Sequence, residues 1–469
     1  MLSQEDNEIL CRVGPGTPMG DLMRQYWIPA LMPNELPSPD CPPVRIRLLG
    51  ENLIAFRTTS GAVGIVANAC PHRGASLFFG RNEEEGLRCV YHGWKFDVTG
   101  ACVDMPSEPA ESNFKNKVRV HAYPCVERTG VVWTYMAPRE VPPPLPGFPA
   151  NMAPENNTAV KEMRACNYMQ VLEGDIDTVH AGFLHGGHVV AERDTAPGTI
   201  AYFVAKTKSP VFHTRVHEIG ATYAAVRPAA EDTEYWRTGH FLLPFYTMNA
   251  PGLLPLKNRA VAWVPIDDDH TMMWQIEPKE HQELQRTGTG LGGLRDGGGR
   301  SDPKGRYDIA QMGSAGVQGI RLQHNTTDWL GRFRTVQNAS NDYFIDRDIQ
   351  KNVERDPNKP QTGTHSGIPG TDIQDCAVQE SMGPIYDRSH EHLGTTDSLI
   401  IVTRRKLVNA AKALRDQGTI PPGVDQPELY KMRSGGALLP KGVDGLEVLR
   451  PIHFYETDTL ELEPIAAMP

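Results

Sequence analysis

The chain has 469 residues, 39% apolar and 22% charged, the makeup of a globular protein with a sizeable core, and the length suits about two or three domains. A net charge of −10 argues against a nucleic-acid partner, whose phosphates need a basic face, and no apolar run reaches the ~20 residues of a membrane span. Eight cysteines in so long a chain do not make a disulfide scaffold, and the acidic start MLSQEDNE lacks the basic flank of an export signal, so a cytoplasmic protein is expected.

Residues 1–43 read as a lead-in, a helical MGDLMRQYW followed by a proline-rich loop. Over 44–140 the texture is β: VRIRLLGENLIAFRTT alternates apolar and polar residues around a turn at Gly50–Asn52, and AVGIVAN, VRVHAY and GVVWTYM are further short strands. Within this stretch Cys70-Pro-His72-Arg-Gly is followed after sixteen residues by Cys89-Val-Tyr-His92-Gly-Trp. Each half offers one thiolate and one imidazole from a tight loop, the donor set of a [2Fe–2S] cluster held by two cysteines on one iron and two histidines on the other. Gly74 and Gly93 let the backbone come close to such a cluster. A zinc finger would instead pair cysteine with cysteine and histidine with histidine.

The run PREVPPPLPGFPANMAPENN marks a boundary, with a second domain over 141–469. A helix is expected over about Asn167–Phe183, and the sequence around it, NYMQVLEGDIDTVHAGFLHGGH, contains Asp177, His180 and His185. Asp177 and His180 lie about 300° apart round a helix, hence on one face, where the carboxylate can orient the imidazole. His185 stands about 140° from His180, so the two share a metal only if the helix breaks between them, with Gly182 a plausible place. His185-x-x-His188 is a competing spacing. Two neutral histidines and one carboxylate make the facial triad of a mononuclear Fe(II) centre with positions open for dioxygen. The carboxylate comes from elsewhere, because Asp177 is better used behind His180. Asp372, Asp375, Glu380 and Asp387 are open alternatives by spacing.

A strand-rich stretch is expected from Tyr202 to Ile276, and its cations Lys206, Lys208, Arg215, Arg227 and Arg237 are candidates to hold an acidic substrate. Residues 278–310 read as a polar, glycine-rich loop. GTGLGG at 288–293 fits the dinucleotide fingerprint by letter, but it follows no buried strand and opens no helix. No nucleotide site is therefore expected, and reduction falls to a separate protein. A last helix is expected over Ser398–Gln417, with Arg404-Arg405-Lys406 on its solvated face. The fold class is α+β: an all-β N-terminal domain, then an antiparallel sheet flanked by helices.

The segments CPHRGASL, CVYHGWKFD, LEGDIDTVHAGFLH and QDCAVQESMGPIYDRSHEHLGTTD together resemble the oxygenase (alpha) components of Rieske non-heme-iron aromatic-ring oxygenases, nearest the phthalate 4,5-dioxygenase-like group. The resemblance implies that Cys70, His72, Cys89 and His92 ligate a Rieske cluster. It implies that His180, His185 and Asp375 hold the catalytic iron, Asp375 because the family's ligand stands five residues before a glutamate, here Glu380. Asp177 would bridge electrons from the equivalent of His92 on a neighbouring subunit to His180 in a homotrimer or stacked trimers. The implied partners are a small aromatic substrate, O2 and a separate NAD(P)H-dependent reductase, with or without a ferredoxin. Many relatives have Glu-Asn where this chain has Glu173-Gly174. Family members with this layout either dihydroxylate phthalates and benzoates or demethylate methoxyaromatic acids. The contrasting reading is a Rieske electron carrier without an open iron.

Overall fold

The lead-in folds onto the second half of the chain. Helices α1 (Gln4–Cys11) and α2 (Pro18–Arg24) start at Ser3 and Thr17, whose hydroxyls accept the Asp6 and Gly20 N–H groups at 3.0 and 3.2 Å. Strand β1 (Trp27–Leu31) follows. The computed structural model describes residues 2–149, 157–187, 189–250, 254, 259–278, 322–351 and 365–457. His188 and residues 279–310 of the glycine-rich stretch lie outside them.

The alternation from Val44 becomes a meander of β2 (Val44–Leu48), β3 (Glu51–Arg57) and β4 (Val63–Ala67), extended later by a short β9. The turn between β2 and β3 is Leu49–Gly50, one residue earlier than expected, with φ of 45° and 80°. Two left-handed residues give the twist that matches a two-residue hairpin. Burial of the Leu49 side chain offsets the strain of placing it there. A second small sheet follows, β5 (Arg81–Glu83), β6 (Gly86–Arg88), β7 (Lys95–Phe96) and β8 (Cys102–Asp104). Ile54, Phe56, Val66, Leu87, Trp94 and Phe96 pack between the two sheets around Cys70 and Cys89. Of VRVHAY only β9 (Ala122–Tyr123) pairs as a strand. Strands β10 (Cys125–Arg128) and β11 (Val131–Tyr135) join β1 in a third sheet, which shares its core with the second half.

Beyond the proline-rich run come β12 (Asn157–Arg164), α3 (Tyr168–Ile176) and α4 (Ile200–Lys206). The segment around Tyr202 is thus helical, and strands begin only at β13 (Val211–Val216). Then follow β14 (Gly220–Ala230), β15 (Thr233–Leu242), β16 (Tyr246–Met248), β17 (Ala260–Pro265) and β18 (Thr271–Pro278), with β19 (Gly435–Pro440) near the end. They form one antiparallel sheet in the order β12-β18-β17-β16-β15-β14-β13, with β19 also paired to β15. Two further helices are α5 (Thr371–Glu380) and α6 (Ser398–Gln417). α3 and α6 pack on the sheet, and α5 packs on α3. Among the described residues no helix is long and apolar enough to cross a membrane.

The α6 boundaries are those expected, ending on left-handed Gly418. Its solvated face is smaller than expected, because Arg404 is buried. Its Nε donates to Glu173 at 2.6 Å, and it also pairs with Glu391, while Arg388 Nη2 reaches Glu173 at 3.0 Å. A carboxylate buried at Glu173 on α3 requires such partners.

On the outer side of β15, His240 is buried between the Thr222 hydroxyl and the Arg433 carbonyl, each at 2.8 Å. The carbonyl can only accept, so Nε2 carries a hydrogen and both nitrogens are used. Burial lowers its pKa to about 4, and lowers that of neighbouring His217 to about 3. These side chains stay neutral where an unfolded chain takes protons. Their contribution is therefore intact above about pH 6.5 and is lost as pH falls toward about 4, by roughly 3 kcal/mol for His240. Melting temperatures from pH 7.5 to 4.5 should show this loss, with a flatter profile for His240→Gln; equal slopes would remove His240 as a cause.

Candidate active site

Two loops of the N-terminal half are built alike. The Cys70 N–H donates to the Ala75 carbonyl at 2.8 Å and the Gly74 N–H to the Cys70 carbonyl at 2.9 Å. The Cys89 N–H donates to the Trp94 carbonyl at 2.8 Å and the Gly93 N–H to the Cys89 carbonyl at 2.9 Å. Gly74 and Gly93 are left-handed, φ 74° and 79°, and a β-carbon on Gly93 would also strike Pro106. The cysteines are buried, whereas His72 is exposed and His92 half-buried. The two imidazoles stand 4.3 Å apart edge to face, and His72 stacks on Trp94 at 4.3 Å. Burial, with Cys89 beside it, pushes the Cys70 thiol up to about 11. Two buried thiols that are not a disulfide, facing two imidazoles, fit an iron–sulfur cluster that supplies the missing positive charge.

The second site lies where α3 gives way to loop. The helix stops at Ile176, and Asp177 is extended (φ −82°, ψ 99°), so the break falls before His180 rather than at Gly182. The cause is local: the Asp177 carboxylate accepts the Val179 N–H at 2.8 Å, which competes with continued helix. His180 then sits in a single 3-10 turn over His180–Gly182, and the separation expected of a regular helix no longer applies. The Nε2 atoms of His180 and His185 come to 3.1 Å. Asp375 Oδ1, from α5, stands 3.5 Å from the first and 3.4 Å from the second.

Adjacent ligands about 2.1 Å from one octahedral ion stand about 3 Å apart, close to this spacing. The Nδ1 sides face partners, Asp177 Oδ2 at 3.6 Å from His180 and Gln374 Oε1 at 2.8 Å from His185. With Nδ1 protonated on both rings, two nitrogen lone pairs and a carboxylate converge on one point. Burial opposes charge on His180, yet its bond to Asp177 and the field of Asp375 raise its pKa to about 9. Burial also raises the Asp375 pKa. The donors fit a divalent metal, and among the described residues they alone form such a His/Cys/Asp/Glu group.

Glu380 and Asp387 are engaged elsewhere, and Asp372, whose charge is felt at His185 and Asp375, lies beside the site without joining the three donors. The Asp372 carbonyl accepts from Arg164 at 3.2 Å, and Glu380 takes the Ala165 N–H and the Tyr343 hydroxyl at 3.0 and 2.5 Å. Asp387 caps the Ser389 N–H at 2.9 Å, and the His390 side chain is exposed. At Gly174 a β-carbon would run into the amide of Gln379, one turn after Asp375. That amide takes the space a side chain at position 174 would need.

The sheet beside this site is polar where a core would be apolar. Tyr223 pairs with Gly239, Ala225 with Arg237 and Arg227 with Tyr235 across β14 and β15, so these six residues face one way. Arg237 Nη1 donates to the Thr178 hydroxyl, two residues before His180, and Arg227 Nε to the Thr207 carbonyl at 2.9 Å. Among the described residues, Arg227 Nη1, Arg237 Nε and both tyrosine hydroxyls are buried without a hydrogen-bond partner. Burial and the charge of Arg237 lower the Arg227 pKa to about 10. Of the remaining cations, Arg215 pairs with Asp444 and Glu447 and Lys206 meets the Tyr202 hydroxyl, while Lys208 lies against the histidine segment itself, over Phe183 and bonded to the Gly187 carbonyl at 2.8 Å. Strand alternation could have grouped Arg227, Arg237 and their tyrosines from sequence. No sequence signal marked Gln374.

Residues 26–124 match the Rieske [2Fe-2S] domain, and residues 134–289 and 320–460 match the LigXa C-terminal domain-like family. The chain is 45% identical over 446 residues to the 3-chlorobenzoate-3,4-dioxygenase oxygenase subunit of Comamonas testosteroni, covering 95% of this chain and 97% of that one. It is 37% identical to the phthalate 4,5-dioxygenase oxygenase subunit of Pseudomonas putida, over 88% and 87% of the two. The terminal oxygenase of carbazole 1,9a-dioxygenase from Novosphingobium sp. KA1 shares the fold, with a TM-score of 0.50 and 17% identity over 86% of this chain and 94% of that one. These matches run through the second domain as well as the first, which a stand-alone electron carrier would lack. The chain therefore belongs to the oxygenase subunits of multicomponent Rieske non-heme-iron oxygenases, which carry a Rieske [2Fe–2S] cluster and a mononuclear iron and take electrons from a separate redox partner.

Proposed function

We propose that this subunit dihydroxylates the ring of a small aromatic carboxylate of the benzoate or phthalate type. The observation that carries the reading is the pair of buried arginines, Arg227 and Arg237, with unmatched N–H groups on the sheet face that adjoins the His180 segment. Buried polar groups without partners call for an explanation, and an anionic ligand supplies one. The chlorobenzoate and phthalate names of the two relatives agree with it.

In this reading Cys70, His72, Cys89 and His92 hold the cluster, and His180, His185 and Asp375 hold Fe(II). When bound, the cluster supplies single electrons and the iron a place where O2 is activated. Arg237 and Arg227 take the carboxylate by charge-assisted hydrogen bonds, and the hydroxyls of Tyr223 and Tyr235 complete the cradle. The carboxylate end is thereby fixed, which leaves the ring held toward the histidines. Asp177 keeps the proton on His180 Nδ1. Its side chain is 28% exposed, which suits a route to the equivalent of His92 on a neighbouring subunit in a trimer or stacked trimers. Electrons come from an NAD(P)H-dependent reductase, directly or through a ferredoxin. Eight cysteines outside any disulfide, six of them not needed for the cluster, suit a cytoplasmic setting.

A single turnover tests the activity. Reduced protein is mixed with O2 and a panel of benzoates, phthalates and methoxybenzoates. Products heavier by two oxygens and two hydrogens are expected, from O2, two electrons and two protons. Loss of a methylene unit with formaldehyde would replace this reading with O-demethylation. For the cradle, Arg237→Met should raise KM for the carboxylate by about 10–100-fold, the worth of a buried charged hydrogen bond. An unchanged KM would move the carboxylate elsewhere.

A further inference from the structure

α5 does more than deliver Asp375. Its preceding residue, Gln374, is fully buried and places Oε1 2.8 Å from His185 Nδ1. The other end of the amide, Nε2, stands 2.8 Å from the Ile368 carbonyl in the loop leading into the helix. A carbonyl can only accept, so Nε2 is the atom that faces it and Oε1 is the atom that faces the imidazole. His185 Nδ1 must then carry the hydrogen, which leaves Nε2 with its lone pair toward His180 and Asp375.

The amide is held on a fixed support. Arg164, at the end of β12, donates to the Asp372 carbonyl at 3.2 Å, and Glu380 at the far end of α5 accepts the Ala165 N–H at 3.0 Å. Both ends of α5 are thus tied to the same stretch of chain, and the helix cannot slide without breaking one tie. Gln374 and Asp375 stand about 100° apart round that helix. One points at the metal position and the other reaches behind a second ligand. The two histidines are therefore held differently, His180 by a carboxylate and His185 by a neutral amide.

We infer that Gln374 is a positioning residue for the iron centre: it fixes His185 as the Nδ1–H tautomer and aims Nε2 at the metal. The inference rests on the ligand reading proposed above. Because the amide carries no charge, it does so without adding a negative group to a site that already holds Asp375 and Asp177. Partners of this kind typically change metal affinity by about 10–100-fold.

The test uses the full-length protein with its cluster in place and measures Fe(II) and Co(II) dissociation constants anaerobically by chelator competition. The cluster's visible spectrum and the melting temperature serve as controls for folding. Gln374→Met, similar in length but without the acceptor, is expected to bind metal about 10–100-fold more weakly. Gln374→Glu, which restores an acceptor at the same place, is expected to bind at least as tightly as the unaltered protein. Wild-type affinity in Gln374→Met, or a loss in Gln374→Glu as large as that in Gln374→Met, overturns the inference. A measurement on the unaltered protein covers the case in which the methionine variant does not fold. In the Co(II) form the His185 Nδ1–H should appear as a hyperfine-shifted resonance that exchanges slowly with water, and its absence sinks the tautomer assignment. His185→Ala separates the two levels. If it keeps metal, the ligand reading fails; if it loses metal while Gln374→Met does not, only the role of Gln374 fails.

Discussion

Replacing Asp375 with alanine will strip the mononuclear iron and leave the cluster's visible absorption at full intensity. Asp375 supplies the one charged donor among the three converging atoms, at 3.4–3.5 Å from both imidazole nitrogens. Without it, two neutral histidines remain, and a divalent ion loses most of what holds it in a buried place. Iron should fall from three per chain toward two, and turnover by more than ~100-fold, beyond the usual effect of losing an outer partner. Metal analysis beside an absorption spectrum reads both quantities. Retention of the third iron would reassign the ligand. Glu380 would be a poor substitute, since both its oxygens are already taken by Ala165 and Tyr343.

Asp177→Asn should separate assembly from turnover. Asparagine retains an oxygen that can accept the Val179 N–H, so the break after Ile176 and the placement of His180 survive. All three irons should remain. What is lost is the negative charge behind His180, which helps hold that imidazole's pKa at about 9 and is the proposed electron link between subunits. Steady-state turnover should drop by about 100-fold or more with metal content unchanged. Stopped-flow oxidation of the reduced cluster should slow in parallel. Full activity in this variant would remove Asp177 from the electron route.

The two metal motifs were legible because their chemistry is carried by short segments. Cys70 and His72 share one loop and Cys89 and His92 another, so spacing alone suggested this donor set, and the fold adds the twin geometry of the loops. The helix α6 was equally local, a periodic apolar stripe stopped by Gly418. The proposed third ligand was different. By spacing, Asp375 was one of four acidic residues almost two hundred positions beyond His185. The packing of α5 on α3 brings it to the histidines, while Glu380 and Asp387 take hydrogen bonds away from them. The end of α3 was misplaced because a side chain of Asp177 captures a backbone N–H, an outcome that helix periodicity cannot register.

Sequence by itself determined the class of this protein and its α+β order, and it pointed to the Cys/His pairs and the two histidines, since these rest on residue type and near spacing. Tertiary structure decided which arginines are buried with N–H groups unmatched among the described residues and which carboxylate meets the histidines. It also decided that Arg404 turns inward to Glu173 and that Gln374 stands behind His185. Each of those depends on pairing between segments far apart in the chain. Burial, which sets the cost of leaving a charge or an amide unmatched, exists only once they have met.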